Sequence, residues 1–381
     1  MAATDLPASN SVVSLSPVAF NPIKEAARQL EVCNSCRYCE GYCAVFPALE
    51  RRRVFTPGDV DYLANLCHDC RACLYACMFA PPHQFAVNLP KALAEVRRET
   101  YARYAVPTAA AHALRASGWL LALIAAIAGA LLAAGVIATG DPSRIVTVHE
   151  GPGAFYQVVP YLLMFAPALA VSVVGFVVLI AGGVRFWHAT RGSFRDLLQP
   201  GRVIRGTADA LGLRYLTGGG AGGCNYPDDQ PSRSRYVFHM LVFYGFLAAI
   251  VSTTSAFIQQ DLLGWLPPYP IASVPVVFGS LGGVAMLVGT IGLLYLKRRS
   301  DRTPADPVQI EMDYVLLWQL ALVNFTGLLL LALRDSAAMG PILIAHLAIV
   351  FTFFLTMPYS KFAHFIYRYA ALVQNRLESR S

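Results

Sequence analysis

Six stretches of the chain run for some twenty residues or more with hardly a charge among them, at about 118–138, 158–182, 237–257, 272–296, 314–333 and 340–360. Each approaches the ~20 residues a helix needs to cross a ~30 Å hydrocarbon layer. The pattern therefore predicts a bundle of six transmembrane helices within residues 106–375. Residues 22–105 follow a different rhythm: a short helix is expected over Ile23 to Val32 and an amphipathic one near Leu89 to Tyr104, with polar segments between them. Residues 1–21, rich in Ser, Pro and Ala without a helical period, predict a flexible tail, and 376–381 a second, short one. The apolar runs are joined by short connections except for one long polar loop, 183–236.

Composition strengthens this reading, because 56% of residues are hydrophobic and only 14% charged. That balance is too apolar for a water-soluble globule, so the excess is expected to face lipid. The formal charge of +7 does not point to nucleic acid, since the basic residues gather in short clusters flanking apolar runs. Treating the runs as alternating crossings puts Arg185, Arg191, Arg202, Arg214 and Arg235 on one side together with Lys297 to Arg299 and Arg368, and leaves little beyond Arg144 and Arg334 on the other. By the positive-inside rule both termini and residues 22–105 are expected to be cytoplasmic, in a multi-pass protein of the cell's inner membrane.

Eight of the nine cysteines lie between Cys33 and Cys77. The first 100 residues show no secretory h-region or cleavage site, so the thiols are expected in a reducing compartment, where clustered cysteines hold metal more often than each other. Cys33, Cys36, Cys39 and Cys43 are spaced C-x2-C-x2-C-x3-C, and Cys67, Cys70, Cys73 and Cys77 repeat that spacing. Three cysteines at two-residue gaps can wrap a loop around three corners of a cubane, the fourth corner being taken by the last cysteine of the other run. This predicts an α-helical, dicluster ferredoxin-like domain ahead of the six-helix transmembrane bundle of an α-helical membrane protein. One 4Fe–4S cluster would use Cys33, Cys36, Cys39 and Cys77, and the other Cys67, Cys70, Cys73 and Cys43. The proline that usually follows the fourth cysteine is missing, Ala44 and Met78 standing there instead. The competing reading is structural zinc on paired C-x2-C units, which would make the chain a metal-stabilised membrane anchor or sensor that moves no electrons.

Ionisable side chains inside a bilayer are costly and mark function. His239, at the start of the third run, and His346, within the sixth, are of this kind; His364 stands at the inner end of the sixth and His188 after the second. Imidazole is an axial ligand for haem iron, and facing helices can clamp a b-type haem. His239 lies near the inner face and His346 near the outer end of its helix, a difference in depth of roughly 15 Å at 1.5 Å per residue, too great for one iron. The preferred pair is His239 with His364, with His188 a substitute for either, while His346, expected on the same helix face as His364, could serve a second haem. His149 lies in an outer loop, and His68, His83 and His112 are expected to tune or pack. The stretch Thr217 to Gly223 formally matches G-x-G-x-x-G, but a membrane helix follows it rather than a βαβ unit, so close packing or a docking loop is expected and not a dinucleotide site. No nucleophile–base pair or oxyanion loop is evident, so no catalytic residue is assigned. Few buried carboxylates and no halved repeat argue against a transporter.

Taken together, the double cysteine run, Arg214-Tyr215-Leu216-Thr217-Gly218-Gly219-Gly220 with Gly223-Cys224-Asn225-Tyr226-Pro227, Met312-Asp313, Met339-Gly340 with Ala345-His346-Leu347, and Met357-Pro358-Tyr359-Ser360-Lys361-Phe362 with His364 resemble the tricarballylate utilisation protein B family (TcuB, also labelled CitB). The likeness extends over about 30–375 and also touches the membrane half of the CobZ fusion proteins. It implies a membrane-bound electron-transfer protein that accepts electrons from a separate, TcuA-like flavoprotein dehydrogenase acting on tricarballylate. It further implies that they pass through iron–sulfur clusters and haem to the membrane quinone, with the eight cysteines as cluster ligands and His239, His346 and His364 as haem candidates. The triplet Arg51-Arg52-Arg53 and the Arg-rich loop 183–236 are expected either to attract an acidic face of that partner or to be solvated surface.

Overall fold

Asn21 opens the folded chain: its side chain accepts the N–H groups of Ile23 and Lys24 at 3.0 and 3.2 Å, and Pro22 occupies a first-turn position where no N–H is needed. The computed structural model describes residues 20–218 and 223–379; of the tail expected over residues 1–21, residues 1–19 lie outside them, as do the Gly-rich positions 219–222 and the last two residues. Helix α1 (Pro22–Cys36) runs beyond the expected stop at Val32 and ends where Arg37 turns left-handed, with φ 57°. Cys33 and Cys36 therefore sit on its last turn rather than in a loop. Short helices α2 (Val45–Glu50), α3 (Pro57–Leu66) and α4 (Ala72–Tyr75) follow, then α5 (Leu89–Arg103) and α6 (Thr108–Leu114). Leu30, Leu49, Val60, Leu63, Leu93 and Val96 are fully buried between α1, α2, α3 and α5 and form the core of this cap.

Beyond the cap come α7 (Gly118–Ala138), the small α8 (Ala154–Val158), α9 (Tyr161–Ala189), α10 (Pro200–Leu211), a minimal antiparallel pair β1 (Cys224–Asn225) and β2 (Pro231–Ser232), α11 (Ser234–Phe257), α12 (Val274–Arg299), α13 (Pro307–Ala332), α14 (Met339–Thr356) and α15 (His364–Glu378). Helices α7, α9, α11 with its π-helical extension, α12, α13 and α14 with the turn after it are each long and apolar enough to cross a membrane, at the six places the hydrophobic pattern marks. Much of their surface is apolar and outward-facing, as at Leu131, Leu162, Val177 and Leu281, which in water would be unsupportable and in lipid is the expected face.

The cap is seated on one end of this bundle. Arg71 donates to the Asp301 carbonyl at 3.1 Å and Tyr75 to the Asp301 carboxylate at 2.7 Å, just past α12. Arg98 pairs with Asp306 ahead of α13 at 3.4 Å, and Arg235 at the start of α11 donates to the Asp69 carbonyl at 2.6 Å. Gly58 lets the start of α3 press on the Ala189 carbonyl at the end of α9, where any Cβ would collide. Ends of helices that alternate in direction thus meet the cap on one side, the side carrying the arginine clusters. Within the bundle, Gly245, Gly282 and Gly289 bring α11 and α12 together backbone to backbone: a Cβ at Gly282 would stand 2.7 Å from the Gly245 carbonyl oxygen. This contact fixes the helix that carries His239.

One expectation needs correction. His346 and His364 do not share a helix face, because α14 ends at Thr356 and two 3-10 turns, Met357–Tyr359 and Lys361–Ala363, intervene before α15 begins at His364. Pro358 lacks the N–H that a continuing helix would use and so breaks the ladder here. Helix α15 then returns along the cap, burying Tyr367, Ala371 and Leu372, and continues through the expected tail boundary at 375 to Glu378. Arg52 pairs with Glu378 at 2.8 Å and Arg51 donates to Asn375 at 2.8 Å. Two members of the basic triplet are therefore committed to holding α15 against the cap.

Asp59 joins these contacts. It completes a capping box with Thr56 at the start of α3, pairs with Arg52 at 2.8 Å and meets Arg191 at 3.4 Å. Burial works to raise its carboxyl, and the hydrogen bonds from Thr56 and Arg52 more than offset that, leaving the group below its ordinary value. Asp59→Ala is expected to cost about 3–5 kcal/mol, the usual loss when one partner of a buried pair is removed. Because the folded-state value is depressed, the contribution is fully present above about pH 4, the unfolded value, and fades as pH falls through the folded one. Thermal melts of the detergent-purified protein check this: the wild-type margin over Asp59→Ala should shrink on acidification, and a margin constant with pH would refute the assignment.

Candidate metal centres

The two cysteine runs fold around two cavities. The first is lined by Cys33, Cys36 and Cys39 of the first run, by Cys77 from the end of the second, and by Cys73. The second is lined by Cys67, Cys70 and Cys73 with Cys43 from the end of the first run. Each cavity therefore collects three thiols from one run and the last thiol of the other, and Cys73 stands on the wall where the two adjoin. Left-handed residues make these turns: Arg37 follows Cys36, and Asp69 and Arg71, with φ 54° and 67°, flank Cys70. Non-glycine residues in that region are uncommon and cluster at functional sites.

Among the described residues no three His, Cys, Asp or Glu side chains converge on a point as a single metal ion would require. The thiols instead line two adjoining recesses, and that donor set fits a thiolate-ligated iron–sulfur cluster in each. Burial pushes the Cys33 thiol up to about 12 and Cys39 up to about 11, with neighbouring thiols adding to the effect. Crowded buried thiols resist ionisation by themselves and yield protons to a metal that binds as thiolate. Around the second cavity the Asp69 N–H points to the Cys67 sulfur at 3.4 Å.

His239 and His364 face one another at the membrane end of the cap. Their ring centroids are 6.4 Å apart and their planes perpendicular. Two metal–nitrogen bonds of about 2 Å and two half-rings account for such a separation. The His364 Nδ1 lies 2.8 Å from the Lys361 carbonyl. Burial, reinforced by the charges of Arg368 and Lys361, holds the imidazole well below its ordinary value and hence neutral. A neutral ring with Nδ1 against a carbonyl must donate from Nδ1, which leaves Nε2 as a free lone pair. His239 Nδ1 is buried without a hydrogen-bond partner among the described residues. The pair thus fits the axial ligation of one haem. The other histidines are elsewhere: His346 shares a 2.9 Å hydrogen bond with Thr326 inside the bundle, His188 packs edge-on against Phe194, and His149 is engaged by Gln157 and the Arg144 carbonyl. His68, within the second cysteine run, is buried with Nδ1 on the Leu66 carbonyl.

Two groups went unassigned at the sequence level. Cys224 reaches from the polar loop to lie beside Cys70, with its thiol donating to the Leu216 carbonyl at 2.8 Å, while the Asn225 N–H donates to the Cys70 carbonyl at 3.0 Å. A lone cysteine preceded by glycines in a polar loop was the available signal. Asp313 is the second case: it accepts from Lys297 at 2.6 Å and Lys361 at 3.1 Å. Burial pushes Lys361 down to about 8 against the pull of Asp313. Opposite charges from three separate helical segments are thereby tied together, one of them that of Lys361, whose carbonyl holds His364.

The family model described as Citrate utilization protein B matches residues 110–381, and that described as Citrate utilization protein B Fer4-like domain matches residues 26–103. The division between them coincides with the passage from cap to bundle. Citrate utilization protein B of Escherichia coli is 42% identical over 368 residues, covering 95% of this chain and 94% of that protein. No solved structure matches the chain. With both halves matched in their own order and the likeness spanning nearly the whole length, the chain belongs to the citrate utilization protein B family.

Proposed function

We propose that this chain is a membrane-bound electron-transfer subunit that relays electrons from a flavoprotein dehydrogenase of the tricarballylate-oxidising, TcuA-like kind to the membrane quinone pool. The observation that carries this reading is the pairing of two adjoining thiol cavities, each lined by the crossed set Cys33/Cys36/Cys39/Cys77 or Cys67/Cys70/Cys73/Cys43, with a facing histidine pair whose His364 begins the helix that bonds the second through Arg368. Two 4Fe–4S clusters and a b-type haem bound there would supply one-electron carriage between a two-electron flavin donor and a two-electron quinone acceptor. The chain's own residues give this a direction. Cys36 is exposed, and Tyr38 and Met78 at the mouth of the first cavity are 60% and 64% exposed, so the first cavity is where a partner can approach. The second cavity is more enclosed, with Cys70 buried. Arg368 joins it to the membrane side, donating to the Cys67 carbonyl at 2.8 Å from the same helix that His364 begins. The arginine-bearing end of the bundle and both termini are assigned to the cytoplasmic face of the inner membrane by the positive-inside rule.

An anaerobic optical and EPR spectrum of the detergent-purified protein tests this. Iron, acid-labile sulfide, a cubane signal on reduction and a b-haem α-band are expected, together with quinone reduction when the reduced flavoprotein is added. Colourless protein with stoichiometric zinc and no acid-labile sulfide would overturn the proposal in favour of a structural anchor.

A further inference from the structure

The two thiol cavities differ in the charge around them. Apart from its thiols the first is walled by apolar groups such as Val32, Phe46, Leu74, Met78 and Phe79. The second shares apolar walls such as Val45, Phe46, Leu89 and Leu93 but adds one cation to its lining and three more bonded to its cysteine run. Arg71 lines it and is 2% exposed. Arg97, also 2% exposed, donates to the Cys67 carbonyl at 2.6 Å, and Arg368 donates to that same oxygen. Arg235 donates to the Asp69 carbonyl. Opposing these four guanidinium groups are the carboxylate of Asp69, 3.8 Å from Arg71 Nε, and beyond the run that of Asp301 near Arg71, while Asp313, which also acts on Arg235, is already paired with Lys297 and Lys361. Arg71 Nε and Arg97 Nη2 are moreover buried without a hydrogen-bond partner among the described residues.

Buried cations in such excess are strongly unfavourable unless an anion compensates them. Carbonyl oxygens supply dipoles but no countercharge. Four thiolates around an iron–sulfur core carry net negative charge, which each added electron increases, and a nearby buried cation favours the more negative state. Nothing comparable surrounds the first cavity, where charge is met mainly by other thiols.

We infer that Arg71, Arg97, Arg235 and Arg368 make the second cavity the electron-accepting member of the pair, so that the cluster held there is reduced at a higher potential than the one in the first cavity. This deepens the electron-transfer reading above and rests on it. The transfer balances simply: the electron lost at the first cavity is the one gained at the second, with no bond or proton exchanged, and the initial donor is a flavin hydroquinone. The arginines thus set a downhill course from the exposed end of the cap toward the histidine pair.

The test is an anaerobic redox titration of the full-length purified protein followed by EPR. Cys36→Ser, which alters only the first cavity, identifies that signal. The remaining signal is expected to titrate at the higher potential. Arg71→Gln and Arg97→Gln are each expected to shift its reduction equilibrium at least tenfold toward the oxidised form, 59 mV for a one-electron couple, leaving the first signal within threefold. Arg71→Lys, which keeps the charge, should retain the wild-type midpoint within threefold. Where a glutamine variant fails to assemble, the order of the two midpoints in the wild type still decides. Coincident or reversed midpoints, or a second-cavity signal unmoved in the glutamine variants, would overturn the inference while leaving the iron–sulfur reading intact. Absence of any cubane signal and of acid-labile sulfide would remove that reading and this inference with it.

Discussion

Cys77→Ser is expected to eliminate the cluster of the first cysteine run, and Cys43→Ser that of the second. The result runs against position in the chain, since each serine falls in the run whose own cavity survives. Cys77 is carried past its run by the turn after α4, where its N–H bonds the Leu74 carbonyl at 3.1 Å, and it lines the cavity of Cys33, Cys36 and Cys39 rather than that of Cys67 and Cys70. Cys43 makes the reciprocal crossing into the second cavity. Each variant should retain about half of the wild-type iron and acid-labile sulfide and lose transfer from flavoprotein to quinone altogether, because the proposed relay runs through both clusters in series. EPR identifies the survivor: in Cys77→Ser it should be the signal that Arg71→Gln displaces. Loss of that signal instead would mean that each run ligates its own cluster, and the crossed scheme would be wrong.

Much of this architecture was legible because the forces that dictate it are local or periodic. Apolar runs of membrane-spanning length can do little except span, and the C-x2-C-x2-C-x3-C repeat marks a ferredoxin-like segment, so the six helices and the cysteine-bearing cap were readable from residue spacing. The boundary at Val32 was not, because the signal that extends α1 is the left-handed conformation at Arg37, a choice made by the cavity it helps to enclose. The return of α15 along the cap was also hidden. Its residues from Lys361 onward mix apolar and basic groups and read as the fading end of the last span, although Pro358 marked the break. The arginine ring is the clearest non-local case. Arg71, Arg97, Arg235 and Arg368 come from four separate segments of the chain, and the positive-inside count explains Arg235 and Arg368 equally well as anchors. Only their burial around Cys67 and Asp69 separates a redox role from a topological one. Arg51 and Arg52 teach the reverse lesson, since a basic triplet that suggested a docking surface is largely used internally on Asn375 and Glu378.

His364→Ala and His239→Ala are each expected to abolish the b-haem α-band, whereas His346→Ala should leave it in place. On the proposed function both members of the facing pair would be needed, each supplying one imidazole nitrogen to a haem held there, and their 6.4 Å separation admits one metal and no intervening residue. Their supports differ. His364 is held by the Lys361 carbonyl, so His364→Gln, which keeps a polar side chain without an imidazole nitrogen, should fail as alanine does. His239 is held by its helix, pressed on α12 through Gly245 and Gly282. His346 by contrast spends its Nδ1 on Thr326 within the bundle, and its loss should leave the haem content at about one per chain. Pyridine haemochrome analysis of the purified variants, normalised to acid-labile sulfide, separates loss of the haem from loss of the fold, since the thiol cavities lie in the cap and should load in all three. Haem retained in His364→Ala or lost in His346→Ala would move the axial site away from the inner face, and electrons leaving the second cavity would then have to reach the bilayer by a route that does not include this pair.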